Sequence, residues 1–316
     1  MTGAPDLSVV LCTFNRAPLL ARALVALVAQ APESPPYEVV VVDNNSTDAT
    51  RETVRAFEAS GAVRYAFEAE QGLSAARNRG IQAARAPLLA FTDDDVCVAD
   101  TWVSTIVQTF RAQEDLDMLG GPVEPVWEAP PPAWLHEAGL APLAVLDYGA
   151  EPFRITLDRQ VCLVGANLAV RRCIFDRVGD FSRTLQRVGD GIGSTEDQEL
   201  ELRVLSAGGI AMYEPRMCVR AQVPRSRLSK RYHRAWHAGH GRFYALMRDP
   251  RFERSRRGTL LGVPGHVYRS AIAELAAWAR ATLRFRTSTA FAHELRLRFL
   301  MAFARQRICG RPYAHD

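Results

Sequence analysis

The chain has 316 residues, of which 39 are basic and 35 acidic, and 48% of the chain is hydrophobic. This ordinary globular composition excludes a disordered, collagen-like or disulfide-scaffold protein. No uncharged stretch approaches the roughly 20 residues of a membrane-spanning helix, and no basic segment precedes an apolar run at the N-terminus. We therefore expect a cytoplasmic protein with one large domain or two smaller ones.

The small net charge of +4 conceals two parts of opposite sign. Residues 1–224 carry 19 basic and 30 acidic residues, whereas residues 225–316 carry 20 basic and 5 acidic. Such an asymmetry indicates a separate role for the C-terminal part. The six cysteines form no CxxC pair, so we interpret them as reduced thiols and not as a disulfide or zinc framework.

Strand and helix patterns alternate along the first hundred residues. Continuous apolar runs predict strands at residues 7–12, 38–42, 63–67 and 88–92, and a helical pattern follows each of them. Because strands buried on both faces alternate with helices, the sequence predicts an α/β fold with a mostly parallel sheet. Residues 122–152 are rich in proline and tryptophan, which predicts a long irregular segment. A glycine-rich stretch at 189–194 precedes a further predicted helix.

Polar clusters follow three of these strands directly, at residues 13–16, 43–46 and 93–95. Ligands of such sheets bind outside the carboxyl ends of the strands, so we expect the clusters to converge on one crevice. Asp93, Asp94 and Asp95 repel one another unless water or a cation neutralises them. A hard divalent ion such as Mg²⁺ or Mn²⁺ suits these oxygen ligands. The alternative interpretation is a solvated acidic turn with one aspartate capping the next helix.

Two further carboxylate positions have both a functional and a structural interpretation. Asp43 follows the second strand, where it could bind a ribose hydroxyl or a base N–H, or cap the loop after it. Glu196 and Asp197 open a helix, where they could supply a general base or serve only as capping groups. No GxGxxG follows the first strand, which argues against a dinucleotide-dependent dehydrogenase.

Six segments together resemble family 2 glycosyltransferases with the GT-A fold. They occur in the order of that family and are VVLCTFNR (9–16), VVVVDNNSTD (39–48), GLSAARNRGI (72–81), LAFTDDDV (89–96), GANLAVRR (165–172) and GSTEDQELELRVLSAGG (193–209). The resemblance implies a Rossmann-like, mostly parallel sheet flanked by helices over residues 1–224. A nucleotide-binding half would cover about residues 1–120 and an acceptor half about 121–224, followed by a helical, arginine-rich region over 225–316.

The resemblance also implies a donor site at the strand ends. Thr13, Asn15 and Arg16 are expected to line the nucleotide pocket. Asp43 is expected to bind the base, and Arg77 to lie near the nucleotide or its diphosphate. Asp93 and Asp95 match the Asp-x-Asp motif that holds ribose and metal. Either Asp94 or Asp95 is the expected ligand of the Mg²⁺ or Mn²⁺ ion, because family members place the motif in two registers.

The implied reaction moves a sugar, with inversion, from a nucleotide sugar to an acceptor hydroxyl. The expected donor is a UDP-sugar, and the acceptor is a saccharide, a lipid-linked carrier or a small molecule. Asp197 matches the catalytic base, with Glu196 beside it. Asn167 is expected beside the sugar or acceptor, and Trp127 and Trp134 offer acceptor-stacking faces. The alternative is a catalytically degenerate protein that only binds sugar nucleotides.

One position departs from the family pattern. Many relatives have a histidine that completes the metal site within a V-x-H-x-V-P-like segment, and Ala221 stands there in this chain. Aspartates and diphosphate alone could hold the metal, or another side chain could take the place of the histidine. His233, His237 or His240 could substitute for it, or Arg220 or Arg225 could instead neutralise the diphosphate directly. We expect weak metal dependence.

The basic C-terminal part contains two amphipathic helical patterns between residues 269 and 308. Their apolar faces consist of Ile272, Leu275, Ala279 and Leu283 in the first and Phe291, Leu295, Phe299 and Ala302 in the second. Three interpretations are open: helices packed on the catalytic domain, peripheral contact with the inner face of the cell membrane, or a homodimer interface. We expect no nucleic-acid partner, because the catalytic half is acidic and contains no nucleic-acid motif.

Overall fold

A computed structural model of the chain describes residues 4–157, 159, 161–188, 191–253 and 258–310. The glycine-rich stretch predicted at 189–194 begins outside these residues, and the basic region predicted to reach residue 316 ends outside them. The chain forms two compact units. Unit 1 consists of Met1–Val126, Ala144–Arg183 and Glu196–Gln222, and unit 2 consists of Trp127–Leu143, Thr184–Thr195 and Val223–Asp316. Unit 2 therefore takes in two segments that precede the boundary expected at residue 224.

Within the described residues, unit 1 contains most of the strands. They are β1 (Leu7–Thr13), β2 (Tyr37–Asp43), β3 (Val63–Phe67), β4 (Leu88–Asp93), β5 (Val96–Val98), β6 (Met118–Gly120), β7 (Val123–Trp127), β8 (Phe153–Ile155), β9 (Asn167–Arg171), β10 (Ala211–Tyr213) and β11 (Val219–Val223). Two further strands lie in unit 2, at β12 (Thr259–Leu260) and β13 (Val263–Pro264).

The helices follow the same division. Those of unit 1 are α1 (Ala17–Val28), α2 (Thr50–Glu58), α3 (Leu73–Ala83), α4 (Trp102–Ala112), α6 (Cys173–Val178) and α7 (Glu196–Ser206). Those of unit 2 are α5 (Leu135–Ala138), α8 (Lys230–Met247), α9 (Pro250–Glu253), α10 (Gly265–Leu283) and α11 (Thr287–Cys309). Among the residues described, no helix is both long enough and apolar enough to cross a bilayer.

The main sheet has the strand order β3-β2-β1-β4-β9-β6-β10-β8. Its first four strands are parallel, β9 runs antiparallel to both neighbours, and β10 is parallel to β6. The predicted α/β class with a mostly parallel sheet is therefore confirmed. The four predicted strands of the first hundred residues all form.

Helices cover both faces of this sheet, which explains the continuous apolar runs of the strands. Val9 and Leu11 of β1 pack in one core cluster, and the alternate residues Val10 and Cys12 pack in the other. Side chains of a strand point alternately to opposite faces, so a strand that is covered on both sides needs apolar residues at every position. Burial of each large aliphatic side chain stabilises the fold by about 1.5–3 kcal/mol.

The proline- and tryptophan-rich segment is more regular than its composition predicts. Residues 123–127 form β7, which is an edge strand of the small sheet β5-β11-β7. Pro125 lacks an N–H group, and an edge strand tolerates that because one of its sides needs no ladder hydrogen bonds. The prediction of an irregular segment is therefore wrong for these residues.

The two helices predicted from the basic C-terminal pattern form as α10 and α11, but their apolar faces differ in exposure. Phe291 and Leu295 of α11 are 4% and 1% exposed, whereas Ile272 and Leu283 of α10 are 69% and 80% exposed. Only the second predicted apolar face is therefore packed.

Candidate active site

The strand ends of β2, β1 and β4 bring the predicted polar clusters together. Thr13 is paired in register with Asp43, and Cys12 is paired with Asp93. Thr13 Oγ1 also donates a hydrogen bond of 2.8 Å to Asp94 Oδ2. The expected convergence on one edge of the sheet is confirmed.

Arg16 forms an ion pair with two of the three aspartates. Its Nη1 lies 3.1 Å from Asp94 Oδ1 and 3.2 Å from Asp95 Oδ2. Burial, partly offset by the Arg16 charge, raises the pKa of Asp94 to about 6. The side chain of Asp95 is 14% exposed and that of Asp94 is 6% exposed, so Asp95 is the better placed of the two to meet a ligand. The N-cap of α4 is Thr101, so the interpretation that an aspartate caps this helix is wrong.

Asp43 and Asn15 hold the two neighbouring loops against each other. Asp43 is 3% exposed and accepts hydrogen bonds from the Ser46 N–H and the Tyr65 hydroxyl, both at 2.8 Å. Asn15 Oδ1 accepts from the Thr47 N–H at 2.7 Å, and the Asn15 N–H donates to Ser46 Oγ at 2.9 Å. Both side chains lie where the sequence places them, and in this structure they already have protein partners.

Arg77, on α3, connects the strand-end aspartates with the start of α7. Its side chain is 3% exposed, and its guanidinium lies 2.5 Å from Asp197 Oδ1, 3.3 Å from Glu196 Oε1 and 3.8 Å from Asp93 Oδ1. Burial alone would lower the pKa of Arg77, but the three carboxylates raise it above its usual value. Arg77 is therefore a permanent buried cation among acidic groups.

Glu196 and Asp197 differ in access although they are adjacent in sequence. The Glu196 side chain is 2% exposed and that of Asp197 is 20% exposed. Asp197 Oδ2 also accepts a 2.8 Å hydrogen bond from the Gly165 N–H. Asp197 can meet a solvent-borne hydroxyl and Glu196 cannot. Glu196 therefore has almost no access to solvent, and its carboxylate faces the Arg77 guanidinium.

Gly165 is a site residue that the sequence reasoning missed. A Cβ atom at this position would overlap the Arg77 guanidinium and would lie 2.7 Å from Asp197 Oδ1. A glycine is required wherever a backbone approaches functional groups this closely. Gly165 opens the GANLAVRR segment, but the sequence of that segment does not show which groups the glycine contacts.

Asn167 is not available to a sugar or an acceptor. It is 0% exposed, and its amide nitrogen donates to the carbonyls of Pro122 and Met217 at 3.0 and 2.6 Å. Its Oδ1 accepts a hydrogen bond from the Trp102 indole at 2.9 Å. The expectation that Asn167 lies beside the sugar or acceptor is corrected. Its buried side chain instead connects two backbone carbonyls by hydrogen bonds.

Ala221 leaves the aspartate cluster without a histidine. It is 7% exposed within the core and pairs with Val96, one residue after Asp95. Among the described residues, no three His, Cys, Asp or Glu side chains are arranged to hold a metal ion. Arg220 alternates to the face opposite Ala221 and lines a groove with Asp100 and Glu124.

The other expected substitutes and the two tryptophans belong to unit 2. His233 is 0% exposed and meets the Trp134 ring edge to face at 4.9 Å. His240 stacks on Trp236 at 4.4 Å, and Trp134 also packs against Phe291. Trp134, His233 and His240 therefore take part in aromatic packing within unit 2.

Residues 8–179 match the family model described as Glycosyl transferase family 2. The chain belongs to this family. The resemblance drawn from the six sequence segments is thereby confirmed.

Two curated relatives are similar to this chain over part of their length. Validoxylamine A glucosyltransferase of Streptomyces hygroscopicus is 32% identical over 244 residues, which cover 71% of this chain and 56% of the relative. Glycosyltransferase AglE of Haloferax volcanii is 30% identical over 188 residues, 59% of each chain. The chain thus spans just over half the length of these relatives.

Solved structures show the same fold. The mannosyltransferase PcManGT from Pyrobaculum calidifontis, in complex with GDP-Man and Mn²⁺, has a TM-score of 0.62 at 21% identity, covering 98% of this chain and 88% of that one. S. aureus TarS 1–349 in complex with UDP has a TM-score of 0.56 at 17% identity, covering 98% and 94%. The GT-A fold expected from the sequence is confirmed.

Proposed function

We propose that this protein transfers a sugar from a nucleotide-sugar donor to an acceptor hydroxyl, with inversion at the anomeric carbon. The observation that carries the proposal is the buried Arg77, which holds the donor-side Asp93 and the partly exposed Asp197 in one charged cluster. Family membership supports the same reaction class.

In the proposed reaction Asp197 acts as the general base. It accepts the proton of the acceptor hydroxyl while the oxygen attacks the anomeric carbon, and the bond from that carbon to the diphosphate oxygen breaks. The nucleoside diphosphate leaves with its added negative charge. Arg77 and the Gly165 N–H orient the Asp197 carboxylate, each through a different oxygen.

We propose a UDP-sugar as the donor, bound along the strand ends by Thr13, Asn15, Arg16 and Asp43. UDP-bound TarS supports this assignment, although PcManGT carries GDP-Man, so the nucleotide is the part to test first. The acceptor classes remain a saccharide, a lipid-linked carrier and a small molecule.

A divalent ion fits the chemistry of the aspartate cluster, but the Arg16 guanidinium already pairs with two of these carboxylates. Asp95, with Asp93 or Asp94, would hold Mg²⁺ or Mn²⁺, and the ion would neutralise the diphosphate. Arg16 already neutralises Asp94 and Asp95 in this structure, and Ala221 supplies no ligand. We therefore propose weak metal dependence. Complete loss of transfer in EDTA, with restoration by micromolar Mn²⁺, contradicts it.

The substitution Asp197→Asn tests the assignment of the base. We expect kcat to fall by about 10²–10⁴-fold, because the amide cannot accept the proton, while donor affinity measured by calorimetry stays near that of the wild type. Asp176→Asn is the matched control, since Asp176 is an exposed carboxylate near the start of α6. Wild-type turnover in Asp197→Asn refutes the proposal.

The rival function, a degenerate sugar-nucleotide-binding protein, is motivated by Ala221. It predicts donor binding by calorimetry without any release of nucleoside diphosphate, whether acceptor is present or not. Diphosphate release by the wild type that depends on Asp197 excludes it.

A further inference from the structure

One face of α10 is apolar and exposed to solvent. Ile272, Leu275, Ala279 and Leu283 recur at helical spacing along it, and we call this set the apolar stripe. Tyr268, one turn before Ile272, is partly buried and packs against the core of unit 2. Ile272, Leu275 and Leu283 are 69%, 50% and 80% exposed. Such large aliphatic side chains in a row are unusual on a surface that meets only water.

Exposed apolar groups extend the stripe at both ends. Leu260 and Leu261, at the tip of the β12–β13 hairpin, are 63% and 66% exposed, and the Tyr268 hydroxyl donates to the Leu260 carbonyl at 3.0 Å. Phe285, directly after α10, is 90% exposed. A helix of 19 residues is about 28 Å long, so the hydrophobic surface is long and continuous.

Arginines border the stripe. Arg269, Arg280, Arg284 and Arg286 are all exposed. Between residues 258 and 310 the acidic residues are Glu274 and Glu294, and both already have basic partners. Glu274 lies 2.6 Å from His293 Nδ1 and 3.7 Å from Arg296, and Glu294 is shared by Arg234 and Arg298. The border of the stripe is therefore positively charged, and among the described residues from 258 to 310 both carboxylates already face other basic groups.

We propose that the apolar stripe docks on an anionic lipid surface, with α10 lying in the plane of the interface. Apolar side chains would enter the acyl boundary by about 5–10 Å, and the bordering arginines would extend their guanidinium groups to lipid phosphates. This inference does not depend on the proposed transfer reaction.

Charge complementarity favours a lipid surface over a second copy of the chain. A symmetric dimer through this stripe would bring the same arginines against one another, and the acidic residues of the region are already paired. An anionic membrane presents both an apolar layer and the opposite charge.

Sedimentation of the full chain with lipid vesicles tests the proposal. The vesicles are phosphatidylcholine alone or phosphatidylcholine with phosphatidylglycerol. One variant combines Leu275→Ser, Leu283→Ser and Phe285→Ser, and another combines Arg280→Gln with Arg284→Gln. Val25→Ser and Arg22→Gln, at exposed positions of α1, are the matched controls. All changed side chains are exposed, and thermal unfolding verifies that each variant is folded.

We expect the wild type and both controls to sediment with anionic vesicles, less with neutral vesicles, and less at high salt. Each stripe variant should lower the partition coefficient at least about tenfold. The proposal is overturned if the wild type does not sediment with anionic vesicles, or if the stripe variants sediment as the wild type does. It is also overturned if sedimentation velocity shows a dimer that the serine variant dissociates while vesicles bind neither protein.

Discussion

Units 1 and 2 both bury paired ions, but only unit 2 buries histidine rings. Unit 1 contains no histidine, and in unit 2 the Arg307 side chain is a buried ion that pairs with Glu253. In unit 1 the buried groups are ions with partners: Arg77 meets three carboxylates, and Glu38 pairs with Arg64 at 2.6 Å. In unit 2 burial lowers the pKa of His233 to about 4, which keeps a ring neutral among aromatic side chains. Buried ions are costly, and the cluster of one arginine with three carboxylates in unit 1 marks where a charged ligand and a proton transfer would use them.

Removal of the Arg77 charge should have the largest effect. Arg77→Met leaves Asp93, Glu196 and Asp197 close together without their cation. We expect a loss of about 3–5 kcal/mol in the free energy of unfolding, measured in urea, together with loss of transfer.

Arg154→Met is the control for this prediction. Arg154 pairs with Asp115 at 2.8 Å on the surface of unit 1, where both side chains are about half exposed, so its urea midpoint should stay unchanged. Equal shifts of the urea midpoint in Arg77→Met and Arg154→Met would show that the buried ion pairs stabilise the fold no more than the exposed pair does.

A methyl group at position 165 should have the next largest effect. Gly165→Ala places a Cβ against Arg77 and Asp197, and the displacement should cost about 1–3 kcal/mol of stability. We expect kcat to fall more than donor affinity, because the base is displaced and the nucleotide-binding strand ends are not. Steady-state kinetics gives kcat, and calorimetry gives the donor affinity. An unchanged kcat in Gly165→Ala would contradict the close contact of Gly165 with Arg77 and Asp197.

Gly165 and Asn167 show how far the sequence could predict the site. The apolar runs of β1, β2 and β4 and the polar residues after them predicted the sheet and its binding edge, because both follow from local pattern. Asn167 and Glu196 were assigned to the site from sequence motifs, but a motif does not show whether a side chain is buried. Their exposure depends on how β9 and α7 pack, which is a long-range property.

The short strands and the exposed face of α10 could not be predicted from local sequence pattern either, because both depend on which elements pack beside them. β6 and β10 are three residues long and are defined by their neighbours. The apolar spacing of α10 and α11 is similar, yet α11 packs against α8 and α10 while the stripe of α10 stays exposed. Periodicity predicts that a helix has an apolar face, and only the fold shows what covers it.

The buried histidine of unit 2 should give a smaller, pH-dependent effect. The folded pKa of His233 lies below the usual 6.5, so its contribution to stability is complete above pH 6.5 and is lost as pH falls toward 4. Burial is the main cause, and the neighbouring His237 charge adds to it. Between pH 7 and 5 we expect unit 2 to lose about 1–2 kcal/mol, measured by thermal unfolding across pH. His233→Phe should flatten this dependence, and His136→Phe, at an exposed position, should not. The same acid sensitivity in His233→Phe would show that His233 does not contribute to it, and would leave His240, whose pKa burial also lowers to about 4, as the source.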